Sequence, residues 1–260
     1  MQAETVAPPP PQATEERARL FRKANAYDDI RVILAKAPLK GLCLDLPAGR
    51  GVNFPGIRAA GFTPIGADLF PKKTKGHGAP ALKIDMEKTL PFATDSLSAI
   101  LCSEGIEHNS RQTDFLRECA RVLKPGGTLV ITTPNIVSLR ARLAYLFSGQ
   151  FSFRRKPLSE ATQLWQGKYL GHVHLVDYFK LRFMLLQTGF ELSEVTTAKY
   201  SLSSLLLAPF LYLPVRIATT RIFRRTHPES QKTCDEILAQ ALSGDLLFGK
   251  KLIVAAVKRR

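Results

Sequence analysis

Acidic residues are what this chain has fewest of relative to need. Its 260 residues hold 22 Asp and Glu against 37 Lys and Arg, a formal net charge of +15 at pH 7. The deficit is uneven: residues 140–260 hold 8 acidic and 19 basic residues, whereas residues 1–139 hold 14 and 18. A basic half implies an anionic partner, nucleic acid or a lipid surface, with a merely solubilising surface as the plain alternative. Cysteine is also sparse. Cys43, Cys102, Cys119 and Cys234 form no C-x-x-C pair, so neither a disulfide framework nor a thiolate site is indicated. Cys43 and Cys102 fall within apolar runs and read as small core residues of a reducing compartment. No uncharged run reaches the roughly 20 residues of a spanning helix. The stretch Tyr200 to Val215 stops at 16, between Lys199 and Arg216, and Pro209 and Pro214 interrupt it. In place of a leader, residues 1–16 carry Pro8 to Pro11 and three glutamates, which predicts a disordered lead-in and a cytoplasmic protein.

What is present is organised around Gly41 to Phe70. Leu42 to Leu46 is an apolar run dense enough for a strand buried on both faces. It leads through Asp45 into Pro47-Ala48-Gly49-Arg50-Gly51, where the chain must turn sharply and admit a ligand to its backbone. An amphipathic segment closed by Gly61 follows, then a second apolar run, Thr63 to Ala67, ending in Asp68, 23 positions beyond Asp45. A carboxylate there would accept both hydroxyls of an adenosine ribose, as in a Rossmann-type half-site. These residues alone leave the cofactor open. A dinucleotide site wants G-x-G-x-x-G, but Val52, Asn53 and Phe54 follow Gly51. An S-adenosylmethionine (SAM) site wants D-x-G-x-G-x-G, which Asp45 to Gly51 matches with proline at the first glycine. An ordinary glycine turn is the third reading.

The remaining chain continues the alternation. Glu15 to Lys36 has apolar residues at helical spacing, and Lys72 to Gly78 is a basic loop. Ala81 to Ile84 reads as a third strand ending at Asp85-Met86, and Leu97 to Ser103 as a fourth, running into Glu104-Gly105-Ile106-Glu107-His108-Asn109. Arg111 to Leu123 reads as a helix stopped by Lys124-Pro125-Gly126-Gly127. A fifth strand, Thr128 to Thr133, leads through Pro134-Asn135 into a helix to about Phe147. Arg121 to Gly127 followed by a strand and Thr133-Pro134-Asn135, with Gly189-Phe190 and a closing strand Lys251 to Val257, resembles the class I SAM-dependent methyltransferases.

That resemblance runs from about Tyr27 to Lys258. It implies an α/β, Rossmann-like seven-stranded sheet ordered 3-2-1-4-5-7-6 with strand 7 antiparallel. Residues 17–260 would form one domain, with insertions at about 148–176 and 200–228. Asp45, Pro47, Ala48, Gly49 and Gly51 would shape the methionine pocket. Asp68, with Leu69 beside it, would take the ribose hydroxyls, Asp85 the adenine amino group with Met86 against its ring, and Ser103 would close the site.

Methyl transfer asks a protein to align donor and acceptor and to handle the acceptor's proton. Glu104, Glu107 and His108 stand at the end of the fourth strand, where an open α/β sheet places its crevice. Gly171-His172-Val173-His174 follows later, with both histidines on one side if the segment is extended. The E-x-x-E-H form resembles two metal-assisted subsets of the family, the O-methyltransferases of ubiquinone synthesis and the small-RNA 2′-O-methyltransferases. By that resemblance Glu104, Glu107, His108 and His174 are the catalytic candidates and would hold Mg²⁺, Mn²⁺ or Zn²⁺. The metal-free alternative makes the carboxylate a helix cap and the histidine a base. His77 and His227 read as solvated surface, and Trp165 as a lid anchor, with an acceptor-stacking residue as its second reading.

Leu205, Leu206, Leu207, Phe210, Leu211 and Leu213 followed by Arg216, Arg221, Arg224 and Arg225 form an apolar wedge backed by cations. That is how a peripheral protein sits on an anionic membrane face. RNA would want aromatics among the cations, and Phe151, Phe153, Arg154, Arg155 and Lys156 offer one such cluster. The sequence thus reads as a SAM-dependent methyltransferase O-methylating a lipid-linked glycan, a quinone-like or another amphipathic acceptor at a membrane surface. An RNA 2′-O-methyltransferase is the second reading, and a non-catalytic SAM-fold binding protein the third.

Overall fold

The computed structural model describes residues 26–71, 81–152, 164–165, 168–169, 171–224 and 231–259. The expected lead-in, the Lys72–Gly78 loop, His77, His227, Arg225 and, within the 148–176 insertion, residues 153–163, 166, 167 and 170, with Phe153, Arg154, Arg155 and Lys156 among them, lie outside the described residues. In chain order the elements are α1 (Ala26–Ala35), β1 (Leu42–Asp45), α2 (Phe54–Ala59), β2 (Thr63–Asp68), β3 (Ala81–Lys83), β4 (Leu97–Ser103), a 3₁₀ turn (Ile106–His108) and α3 (Gln112–Val122). There follow β5 (Leu123–Pro134), α4 (Leu139–Ser148), β6 (Leu164–Trp165), β7 (Lys168–Tyr169), α5 (Tyr178–Gln187), β8 (Phe190–Thr196), α6 (Leu202–Phe223), α7 (Gln231–Ala241), α8 (Gly244–Phe248) and β9 (Lys251–Lys258).

Seven strands form one sheet in the order β3-β2-β1-β4-β5-β9-β8, and β6 and β7 pair apart from it. β9 is antiparallel to both β5 and β8, and the ladders joining β1 to β5 are parallel. With β9 as the seventh strand of the sheet, this is the order expected from the sequence. Its central strands alternate between two cores because successive side chains point to opposite faces. Leu44, Ile100, Cys102, Leu129 and Ile131 face one core with Phe115, Leu116, Leu181 and Leu185. Cys43, Ala99, Leu101, Val130 and Ile253 face the other with Ile30, Leu34, Phe54 and Ile57. Burial on both faces is why these strands read as apolar runs. The parallel registers set Asp45 opposite Gly66 and Leu101, so the carboxyl ends of β1, β2 and β4 open at one edge.

Two expectations need correction. Lys124-Pro125-Gly126-Gly127 is a bulge inside β5 and not a linker before it. Leu97 pairs with Leu123 but Ala99 with Thr128, so the four residues between loop out while the ladder continues. Nor do Pro209 and Pro214 end the apolar stretch, which is one helix of 22 residues, α6. Proline deletes a main-chain donor, yet its own φ is helical, so a helix can continue through it at the loss of one hydrogen bond. By length and composition only, α6 is long and apolar enough to cross a membrane, its most apolar window having a mean hydropathy of 1.5, because the helix runs on through Arg216, where the uncharged run of the sequence stops.

Candidate active site

The floor of the site is the turn after β1. The chain leaves the strand through a cis Leu46–Pro47 peptide, and Gly49 and Gly51 adopt φ of 53° and 75°, where a side chain is strained. A Cβ on Gly49 would meet nothing within 4 Å, because it faces open space, whereas one on Gly51 would lie 2.8 Å from the Phe54 ring. The Gly49 amide donates to Asp68 Oδ2 at 2.9 Å and the Phe70 amide to Oδ1 at 2.9 Å, which fixes the carboxylate at the end of β2. Each oxygen keeps a second lone pair for a ligand hydroxyl. Above this floor lies a cleft of about 510 Å³, lined by Pro47, Ala48, Gly49, Asp68, Ser103 and Glu104 from the ends of β1, β2 and β4 and by Ala198, Lys199, Lys250 and Lys251.

Asp45 is fully buried beneath that floor and is absent from the cleft lining. Asn53 Nδ2 donates to both its oxygens, at 3.1 and 3.2 Å, and Asn53 itself lines the cleft. Burial pushes the Asp45 carboxyl up to about 7, the Asn53 hydrogen bond opposes that, and the nearby Asp68 charge adds to it.

The second half of the site is the turn after β4. Glu104 takes φ of 52°, an uncommon conformation for a residue with a side chain. Its amide donates to the Thr132 carbonyl at 2.9 Å, its Oε1 accepts from Thr132 Oγ1 at 3.2 Å, and Lys251 Nζ lies 3.5 Å from Oε2. Gly105 is required here, because a Cβ would run into the Pro47 ring. The two turns lean on each other at that point.

Three residues on, Glu107 is fully buried and accepts from Thr133 Oγ1 at 3.0 Å. Residues 171–174 lie across this turn and are tied to it repeatedly. The His174 amide donates to the Glu107 carbonyl at 3.1 Å, and Gln112 Nε2 donates to the carbonyls of His174 (2.6 Å) and Ile106 (3.0 Å). His172 Nδ1 lies 3.5 Å from Glu107 Oε1, and the His108 and His172 rings are 4.6 Å apart. His108 Nδ1 is 3.1 Å from the Gly171 carbonyl, which can only accept, so Nδ1 is the donor, and in the neutral ring Nε2 is then the basic nitrogen.

Glu107, His108 and His172 therefore bring ligand atoms within 4.8 Å of one another. The grouping differs from the expected one. Glu104 turns to Thr132 and Lys251, and His174 contributes its backbone, so His172 stands where His174 was expected. The segment bends and is not extended, so the two histidines do not share one side: His172 meets Glu107 with its ring, while His174 is held by its amide and carbonyl. Of the expected cofactor residues, Pro47, Ala48, Gly49, Asp68 and Ser103 line the cleft. Gly51, Leu69, Asp85 and Met86 do not, although Met86 packs against the core and its carbonyl accepts from Asn109. Sequence reasoning missed Gln112, Asn53 and Lys250. No local pattern marks Gln112, whereas Asn53 stands two positions past the glycine turn, and Lys250-Lys251 opens the closing strand.

The sheet order and the cleft at its carboxyl edge define a class I SAM-dependent methyltransferase fold. Residues 15–195 match the family described as Methyltransferase domain, and the chain belongs to that family. It is 31% identical over 128 residues to a mitochondrial ubiquinone biosynthesis O-methyltransferase of Rattus norvegicus, covering 44% of this chain and 37% of that one. It is 32% identical over 111 residues to the ubiquinone biosynthesis O-methyltransferase of Caulobacter vibrioides, covering 39% and 44%. The chain thus matches less than half the length of these curated relatives. A SAM-dependent methyltransferase from Archaeoglobus fulgidus shares its fold with a TM-score of 0.51 at 16% identity, over 95% of this chain and 100% of that one. A structure titled a putative methyltransferase from Bacillus halodurans does so with 0.52 at 16%, over 89% and 100%.

Proposed function

We propose that the protein transfers the methyl group of SAM to a hydroxyl oxygen of an amphipathic acceptor, with Glu107, His108 and His172 handling the hydroxyl proton. The observation that carries this reading is the clustering of those three side chains one turn beyond the cleft-lining Ser103 and Glu104. The names of the curated relatives support an oxygen acceptor and a quinone-like one.

The cleft suits SAM. Gly49 leaves its floor open and Asp68 is fixed with lone pairs to spare, while Glu104 and Asn53 supply polar walls. SAM supplies an electrophilic methyl on a sulfonium, so the chain need only align the acceptor with it. An acceptor oxygen lone pair then forms the new O–CH₃ bond as the S–CH₃ bond breaks, its electrons staying on sulfur to leave S-adenosylhomocysteine. The hydroxyl proton passes to His108 Nε2, the basic nitrogen left by its Nδ1 contact to Gly171. Glu107, buried with Oε1 3.5 Å from His172 Nδ1, holds that ring beside His108. One carboxylate and two imidazoles also form a donor set for a divalent cation, which would lower the acceptor's pKa. Glu104 is turned away from that set, and the positioning of the 171–174 strap falls to Gln112.

The test is transfer of labelled methyl from SAM into a membrane-lipid extract and, separately, into total RNA, each with and without chelator. Label in the organic phase as an alkali-stable ether is expected, lost in His108→Ala. Label in RNA alone, or full turnover in His108→Ala, overturns the reading. Activity that survives the chelator leaves His108 as the base and removes the cation.

A further inference from the structure

Helix α6 is inside out. An all-apolar helix is normally buried, yet only 6% of its most apolar stretch is covered. The buried positions are the small polar Ser204 and Thr219, while Leu202, Leu206, Phe210, Leu213 and Ile217 are exposed, from 44% at Ile217 to 76% at Phe210. At about 100° per residue these five fall within an arc of about 80°, and Ser204 and Thr219 lie about 100° or more away from it. The spacing makes one continuous stripe along the outer face. α4 packs on α6, and its last turn adds Tyr145, Leu146 and Phe147, the last two 75% and 74% exposed.

α6 cannot use its length to cross a bilayer. Tyr200, just before it, is bridged to Gly249, and β8 and β9 on either side of it pair in the same sheet. α7 and α8 return along it. Both ends therefore lie on one side of any membrane, and a helix of about 33 Å must lie flat.

The charges around the stripe choose the occupant. No Asp or Glu occurs from Cys119 to Ser159 or from Val195 to Pro228, the two segments that carry α4 and α6, while they hold 7 and 5 Lys and Arg. On α6, Arg216 and Arg221 are exposed and fall on either side of the apolar arc, placed to reach past it to headgroup phosphates. A second copy of this chain on the same face would bring like charge against like charge. An anionic lipid surface answers both the apolar stripe and its cations.

We propose that the outer stripe of α6, with the apolar last turn of α4, is an in-plane docking surface for an anionic lipid leaflet. Ala198 and Lys199, which line the cleft, lead directly into α6, so docking sets the cleft beside the membrane surface. The surface does not depend on the reaction catalysed, and its test reads no catalysis. The full chain is sedimented with vesicles of phosphatidylglycerol and phosphatidylcholine, and with phosphatidylcholine alone. Wild type should pellet with the anionic vesicles, more weakly at high salt. Combining Leu206→Ser, Phe210→Ser and Leu213→Ser should raise the lipid needed for half-binding about tenfold or more. The Arg216→Glu, Arg221→Glu pair should lose the preference for anionic vesicles, and Val32→Ser, at an exposed position of α1, should change nothing. Binding of S-adenosylhomocysteine by each variant reports folding and tests the methyltransferase reading separately. Wild type that ignores anionic vesicles, or a triple variant that pellets as wild type does, overturns the proposal. So does a dimer that the triple variant dissociates without any vesicle binding, or retention on RNA and not on vesicles.

Discussion

Asp45 makes the fold's stability fall as pH rises, and Asp45→Asn should remove that dependence. Its carboxyl is buried with a pKa of about 7 when folded against 3.8 for the ordinary group. Between those values the folded chain holds a proton that the unfolded chain has released, so stability drops with increasing pH. The contribution is fully present below pH 3.8 and is lost as pH climbs through about 7. From pH 5 to pH 8 the single-site linkage amounts to about 2.5 kcal/mol, an order-of-magnitude figure. Urea unfolding followed by circular dichroism at pH 5, 6, 7 and 8 reads it. The amide variant resembles the protonated carboxyl and does not titrate, so its stability relative to wild type should rise between pH 5 and pH 8 by about the linkage amount. Parallel curves for wild type and variant would refute the reasoning, since they would mean that Asp45 titrates alike folded and unfolded.

Gly105→Ala should destabilise by about 1–3 kcal/mol, because the added methyl runs into Pro47 and lies 3.1 Å from Cys102 Sγ; an unchanged thermal midpoint counts against the packing of the two turns. His172→Ala should lower turnover more than His174→Ala, since His172 faces Glu107 with its side chain and His174 with its backbone. The reverse order in steady-state assays would restore the arrangement expected from sequence.

The sheet was legible because both of its faces are buried: Leu42–Leu46, Leu97–Ser103 and Thr128–Thr133 stand out as apolar runs between turn residues. The glycine turn and Asp68 were legible because a tight turn and a carboxylate at a strand end have strong local signatures. Long-range placement was not. Nothing in Gly171-His172-Val173-His174 says which histidine meets Glu107, because Gln112 and the Glu107 carbonyl decide it from 60 and more positions away. The reach of α6 was hidden for another reason. Two prolines and two arginines within 22 residues break a reading based on composition, whereas packing on α4 and α7 keeps the helix whole.

The central claim is that the edge formed by β1, β2 and β4 holds SAM, with Asp68 as the ribose acceptor. Isothermal titration of S-adenosylhomocysteine into wild type and Asp68→Ala tests it directly, with NAD as the competing ligand. Losing hydrogen bonds to a charged acceptor is worth roughly 1.5–3 kcal/mol, so the variant should bind about tenfold or more weakly. Wild type should bind one equivalent and ignore NAD. Binding of NAD, binding of neither ligand, or equal affinity in wild type and variant would contradict the account.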